Sequence, residues 1–327
     1  MNCYKQKNVL VTGGLGFIGS NLARVLCERG ANVTIIDSLV PEYGGNLFNA
    51  HAFKDRVHLN ICDVRDPHAL AYLLKDKDYL FNLAGQTSHI DSMVDPQTDL
   101  QINAAAQLSL LETCRKVNPN IKIVFASTRQ IYGQPDYLPV DEKHPIRPID
   151  VNGINKLAGE WYHMLYNKVY GLRACALRLT NTYGPNMRIK DARQTFLGIW
   201  IRLILEGRSF QIFGDGKQLR DFNHVDDCVE ALLLTGSTDT SNGKVYNLGS
   251  KEVISLKKLA DLLVEANGEG SYELTEFPQD RKAIDIGDYY SDFSLIQKEL
   301  GWLPKVGLAE GLNKTVEYYR ANFNHYV

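Results

Sequence analysis

A run with strand character, Asn8–Thr12, leads directly into Gly13-Gly14-Leu15-Gly16-Phe17-Ile18-Gly19, and a helical pattern from Phe17 to Arg29 follows. Glycines at 13, 16 and 19 stand where such a turn is tight, where backbone must approach a ligand, and where a helix packs on a sheet. Backbone N–H groups and the start of a helix gather there, and together they form a site for phosphate. The pattern matters because of its context: a strand precedes it, a helix follows, and Asp37 ends a second strand, Asn32–Asp37, 18 residues after Gly19. A carboxylate at that position accepts from both ribose hydroxyls and repels a 2′-phosphate. No arginine adjacent in the sequence offers to bind one, so NAD is favoured over NADP, with Ser38 beside Asp37 on the ribose. Asp63-Val64, just past the third strand, falls where an adenine edge would lie.

Further strands are expected at Val57–Ile61, Tyr79–Leu83 and Ile121–Ala126, with helical stretches between them. Strands apolar on both faces, alternating with helices, imply an α/β fold: a doubly wound parallel sheet of the Rossmann type. The regular alternation ends near Asn181, where Gly184-Pro185, Gly214-Asp215-Gly216 and Ser241-Asn242-Gly243 break up shorter elements. Helices near Gln194–Glu206, Val225–Leu234 and Leu256–Glu265 give a smaller mixed α/β lobe. Residues 1–180 then form the cofactor domain and residues 181–327 a substrate lobe, with room for the chain to cross back.

Composition excludes several classes. A net charge of −2 with scattered basic residues offers no field for nucleic acid. The N-terminal apolar run Val9–Ile18 is interrupted by glycines and suits neither a secretory signal nor a membrane span. Six cysteines without a CxxC pair read as free thiols of a cytoplasmic protein. No His/Cys/Asp/Glu cluster has metal-ligand spacing, and no Gly-x-Ser-x-Gly elbow occurs.

The ordered motifs resemble the extended short-chain dehydrogenases/reductases of the NAD-dependent nucleotide-sugar epimerase/dehydratase family over nearly the whole length. They are Thr12-Gly-Gly-Leu-Gly-Phe-Ile-Gly19, Asp63-Val64, Asn82-Leu-Ala-Gly85, Asn103, Ala126-Ser-Thr-Arg-Gln-Ile-Tyr-Gly133 and Lys156-Leu-Ala-Gly-Glu160. Arg178-Leu-Thr-Asn-Thr-Tyr-Gly-Pro185, Phe213-Gly-Asp-Gly216, Arg220-Asp-Phe222, Val225-Asp-Asp227 and Leu300-Gly-Trp302 continue the series. The resemblance implies a tightly held NAD cradled by Gly13, Gly16, Phe17, Ile18, Gly19, Leu83, Ala84, Gly85 and Asn103. It implies a nucleotide-diphosphate sugar held by Arg220, Asn181 and Arg281, with Arg188 in a cleft-lining segment, Arg188–Phe196. It also implies a homodimer built from helices near residues 97–117 and 152–169.

One departure is informative. The family pairs a Ser/Thr with Tyr-x-x-x-Lys on one helix, where the lysine lowers the pKa of a phenol that removes a sugar hydroxyl proton. Here Lys156 is present but the tyrosine position holds Asn152, and no Tyr-x-x-x-Lys occurs elsewhere. An amide cannot titrate, although it can donate or accept a hydrogen bond. Lys156 keeps its ribose role, and Thr128, or Ser127 beside it, polarises the hydroxyl. His89, Tyr183 and Tyr132 are the candidates for the lost base, set against bracing or packing roles for each. Three readings follow: epimerisation by transient oxidation with a non-standard proton acceptor, another isomerisation such as pyranose–furanose interconversion, or a catalytically silent binding module.

Overall fold

The computed structural model describes residues 3–327. Six strands of the first half are β1 (Asn8–Thr12), β2 (Asn32–Asp37), β3 (Val57–Ile61), β4 (Tyr79–Asn82), β5 (Lys122–Thr128) and β6 (Arg173–Leu179). Six more follow: β7 (Asn181–Tyr183), β8 (Phe210–Phe213), β9 (Leu219–His224), β10 (Val245–Asn247), β11 (Val253–Ser255) and β12 (Tyr272–Thr275). The main sheet is parallel throughout and runs β10-β6-β5-β4-β1-β2-β3. Its seventh strand therefore comes from beyond residue 181, where Val245 pairs with Ala176.

The helices that cover this sheet and position the site are α1 (Phe17–Glu28), α2 (Pro67–Leu73), α3 (His89–Val94), α4 (Pro96–Leu100), α5 (Ala106–Val117) and α6 (Val151–Tyr170). Those of the second half are α7 (Phe196–Leu205), α8 (Val225–Gly236), α9 (Leu256–Asn267), α10 (Gln279–Lys282), α11 (Ser294–Leu300) and α12 (Leu308–Asn322). Side chains alternate across each strand, so both faces must be covered. Val9, Val11, Val33, Ile35 and Phe81 pack with Leu22 and Leu26 of α1 and with Val229 and Leu232 of α8. Leu10, Ile36, Leu80 and Ile123 face the other way, onto Leu70 of α2, Leu110 and Leu111 of α5 and Tyr166 of α6. Among the described residues no helix is long and apolar enough to cross a membrane.

Two strands differ in their bounds from the sequence expectation. β4 stops at Asn82, because the N–H groups of Leu83 and Ala84 donate to Thr12 Oγ1, both at 3.1 Å, instead of to a neighbouring strand. β5 runs on to Thr128, which pairs with Leu179. Outside the main sheet, β9 lies between β7 and β11, and β8 pairs with β12. These small sheets bring Asn181 and Arg220 to the side of the cleft away from α1.

A buried ion pair ties the centre together. Glu160 of α6 accepts from Arg178 of β6 at two oxygens, 2.6 and 3.0 Å, and from Ser127 Oγ of β5 at 2.6 Å. Arg178 Nη1 donates to the Tyr132 hydroxyl at 2.6 Å, which in turn donates to Asn247 of β10 at 2.7 Å. Replacing Glu160 by Gln strips the countercharge from a guanidinium that is 5% exposed. Chemical denaturation of Glu160→Gln is expected to show a loss of about 3–5 kcal/mol; a loss below about 1 kcal/mol would mean that Arg178 finds another partner.

Candidate active site

Strand order reverses between β1 and β4, and the carboxyl ends of those two strands open into a cavity of about 880 Å³. Gly13, Gly16, Phe17, Ile18, Gly19, Asp37, Ser38, Asp63, Val64, Leu83, Ala84 and Gly85 line one end of it. Gly13 has φ +67°, and a Cβ there would meet the Ala84 backbone at 3.0 Å. A Cβ on Gly19 would fall on the Gly13 carbonyl oxygen. The start of α1, at Gly16, has no side-chain cap, so its first-turn N–H groups point to the cavity with their dipole uncompensated. Asp37 accepts from the N–H groups of Leu15 and Leu39, both at 2.9 Å; burial still holds its carboxyl above the usual range. A cradle that only glycine fits, an open helix start and a carboxylate at the ribose position suit NAD.

Two expectations change at this end. Asn103 does not line the cavity: it is fully buried behind Gly85, donating to Gln86 O at 2.9 Å and Asp99 Oδ2 at 3.0 Å. It lies in a π-turn, Gln101–Ala105, that links α4 to α5. An arginine does line this end, contrary to the sequence expectation. Arg65 forks onto Asp63 at 2.9 and 2.7 Å, which holds the Asp63 carboxyl below its usual range and commits the guanidinium that a 2′-phosphate would need.

Lys156, Asn152, Ser127, Thr128 and His89 meet in the middle of the cavity. Lys156 and Asn152 share a face of α6 one turn apart, and Asp150 caps that helix by accepting from Gly153 N at 2.6 Å. The Lys156 ammonium donates to Ala126 O at 3.1 Å and lies 5.1 Å from the centre of the Phe125 ring. Burial lowers it to about 8, with Asp99 opposing the shift. Asn152 Nδ2 donates to Gln86 O at 2.8 Å and to Asp99 Oδ2 at 3.0 Å. Both acceptors demand an N–H, which fixes the amide orientation and spends its two hydrogens. Only the Asn152 carbonyl oxygen remains for a ligand, so the side chain can accept from a hydroxyl but has no hydrogen left to donate.

The hydroxyls of Ser127 and Thr128 are differently committed. Ser127 gives its hydrogen to Glu160, whereas Thr128 Oγ1 accepts from Gln130 N at 3.2 Å and keeps its hydrogen. His89 is the first residue of α3, and its Nδ1 lies 2.9 Å from Asp150 Oδ2. Burial raises the Asp150 carboxyl, but His89, Gly153 N–H and Gln130 more than offset this, and the net shift is downward. Asp150 was not visible as a partner in the sequence; the sole signal is its place before a helical run, where an N-cap is expected.

The two tyrosines are not in the cavity. Tyr183 is 1% exposed, packs edge-on against Phe222 and His224, and burial drives its phenol far up. Tyr132 is pushed up to about 12 by burial and is spent on Arg178 and Asn247. Neither can serve as the proton acceptor.

The far end is cationic. Arg220, Arg281 and Asn181 line it, as does Arg129, which sequence reading did not single out. Arg220 Nη1 donates to the carbonyls of Leu219 and Gly287, and burial, with Arg129 adding to it, pulls the group down to about 10. Arg281 stacks 5.2 Å from the Phe213 ring centre. Asn181 Nδ2 donates to Asp221 O at 3.0 Å while its Oδ1 accepts from Arg129 Nη2, also at 3.0 Å. Arg188 is not brought to this cavity. It forks onto Asp191 at 2.9 and 2.6 Å and borders a separate hollow of about 210 Å³ with Asn186 and Lys190. Residues 192–196 of the same segment do line the main cavity.

Residues 9–249 match the family model described as the NAD dependent epimerase/dehydratase family. A putative UDP-glucose 4-epimerase of Methanocaldococcus jannaschii is 34% identical over 317 residues, covering 96% of this chain and 99% of the relative. The crystal structure of UDP-glucose 4-epimerase from Thermotoga maritima with UDP-glucose superposes with TM-score 0.87 at 32% identity, covering 97% of this chain and 99% of that one. A dTDP-glucose 4,6-dehydratase of Streptomyces venezuelae with NAD bound gives 0.89 at 27% identity, covering 98% of both chains. With a glycine cradle, the Asp37 carboxylate and a Thr-Lys pair on one cavity, and matches that span its length, the chain belongs to the NAD dependent epimerase/dehydratase family of enzymes.

Proposed function

We propose that the protein epimerises a nucleotide-diphosphate sugar at a ring carbinol, with His89 taking the hydroxyl proton that a tyrosine takes elsewhere in the family. The observation that carries this reading is the 2.9 Å pair between His89 Nδ1 and Asp150 in a cavity whose tyrosine position holds an amide. NAD, when bound, supplies a reversible hydride acceptor. The chain supplies the rest. The Asp150 carboxylate, 2.9 Å from Nδ1, stabilises the imidazolium formed when Nε2 accepts the proton. Thr128 donates its free hydrogen to the sugar oxygen, and Asn152 accepts from a neighbouring hydroxyl through its one unspent atom. Lys156 places a cation beside the nicotinamide ribose. Arg220, Arg281 and Asn181 hold the diphosphate, guanidinium forks being suited to phosphate oxygens.

Incubation with uridine, guanosine, cytidine and thymidine diphosphate sugars, followed by NMR of the products, tests the reading. A changed configuration at one carbon with the ring form retained is expected; a changed ring size would instead support a pyranose–furanose isomerase. His89→Gln is expected to lose about 10²–10⁴-fold in kcat with little change in KM, and added imidazole should restore part of it. A variant within threefold of wild type would remove His89 from the mechanism.

Lys156 gives a pH signature. Its folded value of about 8 lies below its ordinary 10.5, so between those pH values the unfolded chain holds a proton that the folded one does not. The penalty for burying the ammonium is complete below pH 8 and is relieved as pH rises towards 10.5, so the contribution of Lys156 to stability rises across that window. Lys156→Met should remove that contribution, so that its stability advantage over wild type is largest at pH 7 and shrinks towards pH 10.5; it should unfold at higher temperature at pH 7 and be inactive. A melting temperature unchanged at pH 7 would contradict it.

We also propose a homodimer through α5 and α6. Ile154, Trp161, Leu165 and Val169 of α6 and Leu108 of α5 are exposed although large and apolar. Spaced at 7, 4 and 4 residues, the α6 group forms one stripe. Light scattering should report a dimer for wild type and a monomer for the double variant Trp161→Glu, Leu165→Glu; a wild-type monomer would refute the interface.

A further inference from the structure

Arg129 has no part in the chemistry described above, yet it is one of the most constrained side chains in the cavity. It follows Thr128 at the carboxyl end of β5, on the way from the Thr128–Asn152 region to Asn181 and Arg220. Its Nη2 donates to Asn181 Oδ1, and its guanidinium carbon lies 4.9 Å from the centre of the Tyr289 ring. Tyr289 is fully buried, and its hydroxyl lies 3.0 Å from Ser291 Oγ. The plane of the fork is thus fixed by a ring on one side and an amide at one edge. Its Nη1 is buried and has no hydrogen-bond partner.

The carboxylates that act on Arg129 do so from a distance, and none of them touches its fork. Asp221, which it faces at longer range, is spent on Thr180 Oγ1 at 2.5 Å and on Ser291 N at 3.1 Å. Asp150 is committed to His89, and Asp285 accepts from Gln218 at 2.7 Å and stands 3.7 Å from Arg220. No carboxylate among the described residues hydrogen-bonds to Arg129. A buried N–H without an acceptor is costly unless a ligand completes it. A hydroxyl would fill one N–H of the fork, a carboxylate two.

Resting on the nucleotide-sugar reading, we infer that Arg129 is a specificity-determining residue that receives a carboxylate on the sugar ring, so that the substrate is a nucleotide-diphosphate sugar with an acidic substituent. The diphosphate already has Arg220, Arg281 and Asn181. Arg129 adjoins the residue that handles the sugar hydroxyl, so the oxyanion it meets belongs to the sugar. Fork geometry suits a carboxylate, which can take two N–H groups at once.

Calorimetric titration of the enzyme as purified tests this without turnover. The four nucleoside diphosphates are titrated first; the hexose and the hexuronate carried on the base that binds best are then compared. Wild type is expected to bind the hexuronate at least tenfold more tightly than the hexose, and both Arg129→Met and Arg129→Gln should bring that ratio to near one while weakening the bare diphosphate only slightly, through the lost partner of Asn181. Equal binding of hexose and hexuronate by wild type, a comparison that needs no variant, overturns the inference. So does a variant that weakens the diphosphate and both sugars alike, because Arg129 would then be a phosphate ligand. Failure of every diphosphate and sugar to bind would instead overturn the nucleotide-sugar reading itself, and the inference with it.

Discussion

Glu160 is the group on which the geometry of the site depends. It sits on α6, four residues after Lys156, and its two oxygens hold Arg178 of β6 and Ser127 of β5 in a region that water does not reach. Because the pair is bidentate, it fixes rotation as well as distance between the helix and the two strands. Thr128 is the next residue along β5 from Ser127, and Asn152 lies one turn before Lys156 on the helix. A shift of α6 by even part of a turn would therefore move the hydroxyl donor away from the lysine and the amide together. The pair need not add net stability to serve this purpose, since a buried ion pair is often no better than apolar packing. Its contribution is registry.

A second polar centre explains why an amide can stand in the tyrosine position. Asp99 is fully buried and accepts from three side-chain amides: Asn103 at 3.0 Å, Asn152 at 3.0 Å and Asn155 at 2.8 Å. Three N–H donors satisfy a buried carboxylate as water would. A tyrosine at 152 would take one of those donors away and would have to displace Gln86, whose carbonyl accepts from both Asn103 and Asn152. The departure from Tyr-x-x-x-Lys is thus one part of a set that includes Asp99, Asn155 and Gln86. His89, with Nδ1 2.9 Å from Asp150, lines the same cavity outside that set.

How much of this was legible in the sequence follows from how local each determinant is. The glycine cradle, Asp37 and the strands of the sheet are written in short stretches of chain, where turn geometry and alternation leave few options. Lys156 and Asn152 share a helix face by spacing alone. The partners that give those residues their properties come from far along the chain: Asp99 lies 53 residues from Asn152, and Asp150 lies 61 from His89. Tyr183 illustrates the reverse. Its motif places it at the end of a site strand, but α12 closes over it, with the Leu308 carbonyl 3.4 Å from its hydroxyl. Arg188 was misplaced for a local reason that periodicity does not show, an Asp three residues on that captures its fork. The π-turn that carries Asn103 inward is also hidden from an α-helical reading, because one extra residue per turn changes the face that each side chain occupies.

The distribution of charge in the cavity indicates how binding is organised. Lys156 is a buried cation whose proton is held weakly, and burial lowers both Arg129 and Arg220, with Arg129 adding to the shift at Arg220. Burial penalises the charge on each, so the cavity is suited to anions. The charge is graded along the cavity: a helix start and N–H groups at the glycine end, an ammonium in the middle, Arg129 beyond Thr128, and Arg220 and Arg281 at the far end. An anionic cofactor matches the first part and an anionic substrate the last. Between them, at Thr128, Asn152 and His89, the groups are neutral or paired, and this is where a proton can move without crossing a fixed charge. Binding energy is thereby concentrated at the ends of the ligands, and the centre is left to discriminate between one ring carbon and the next.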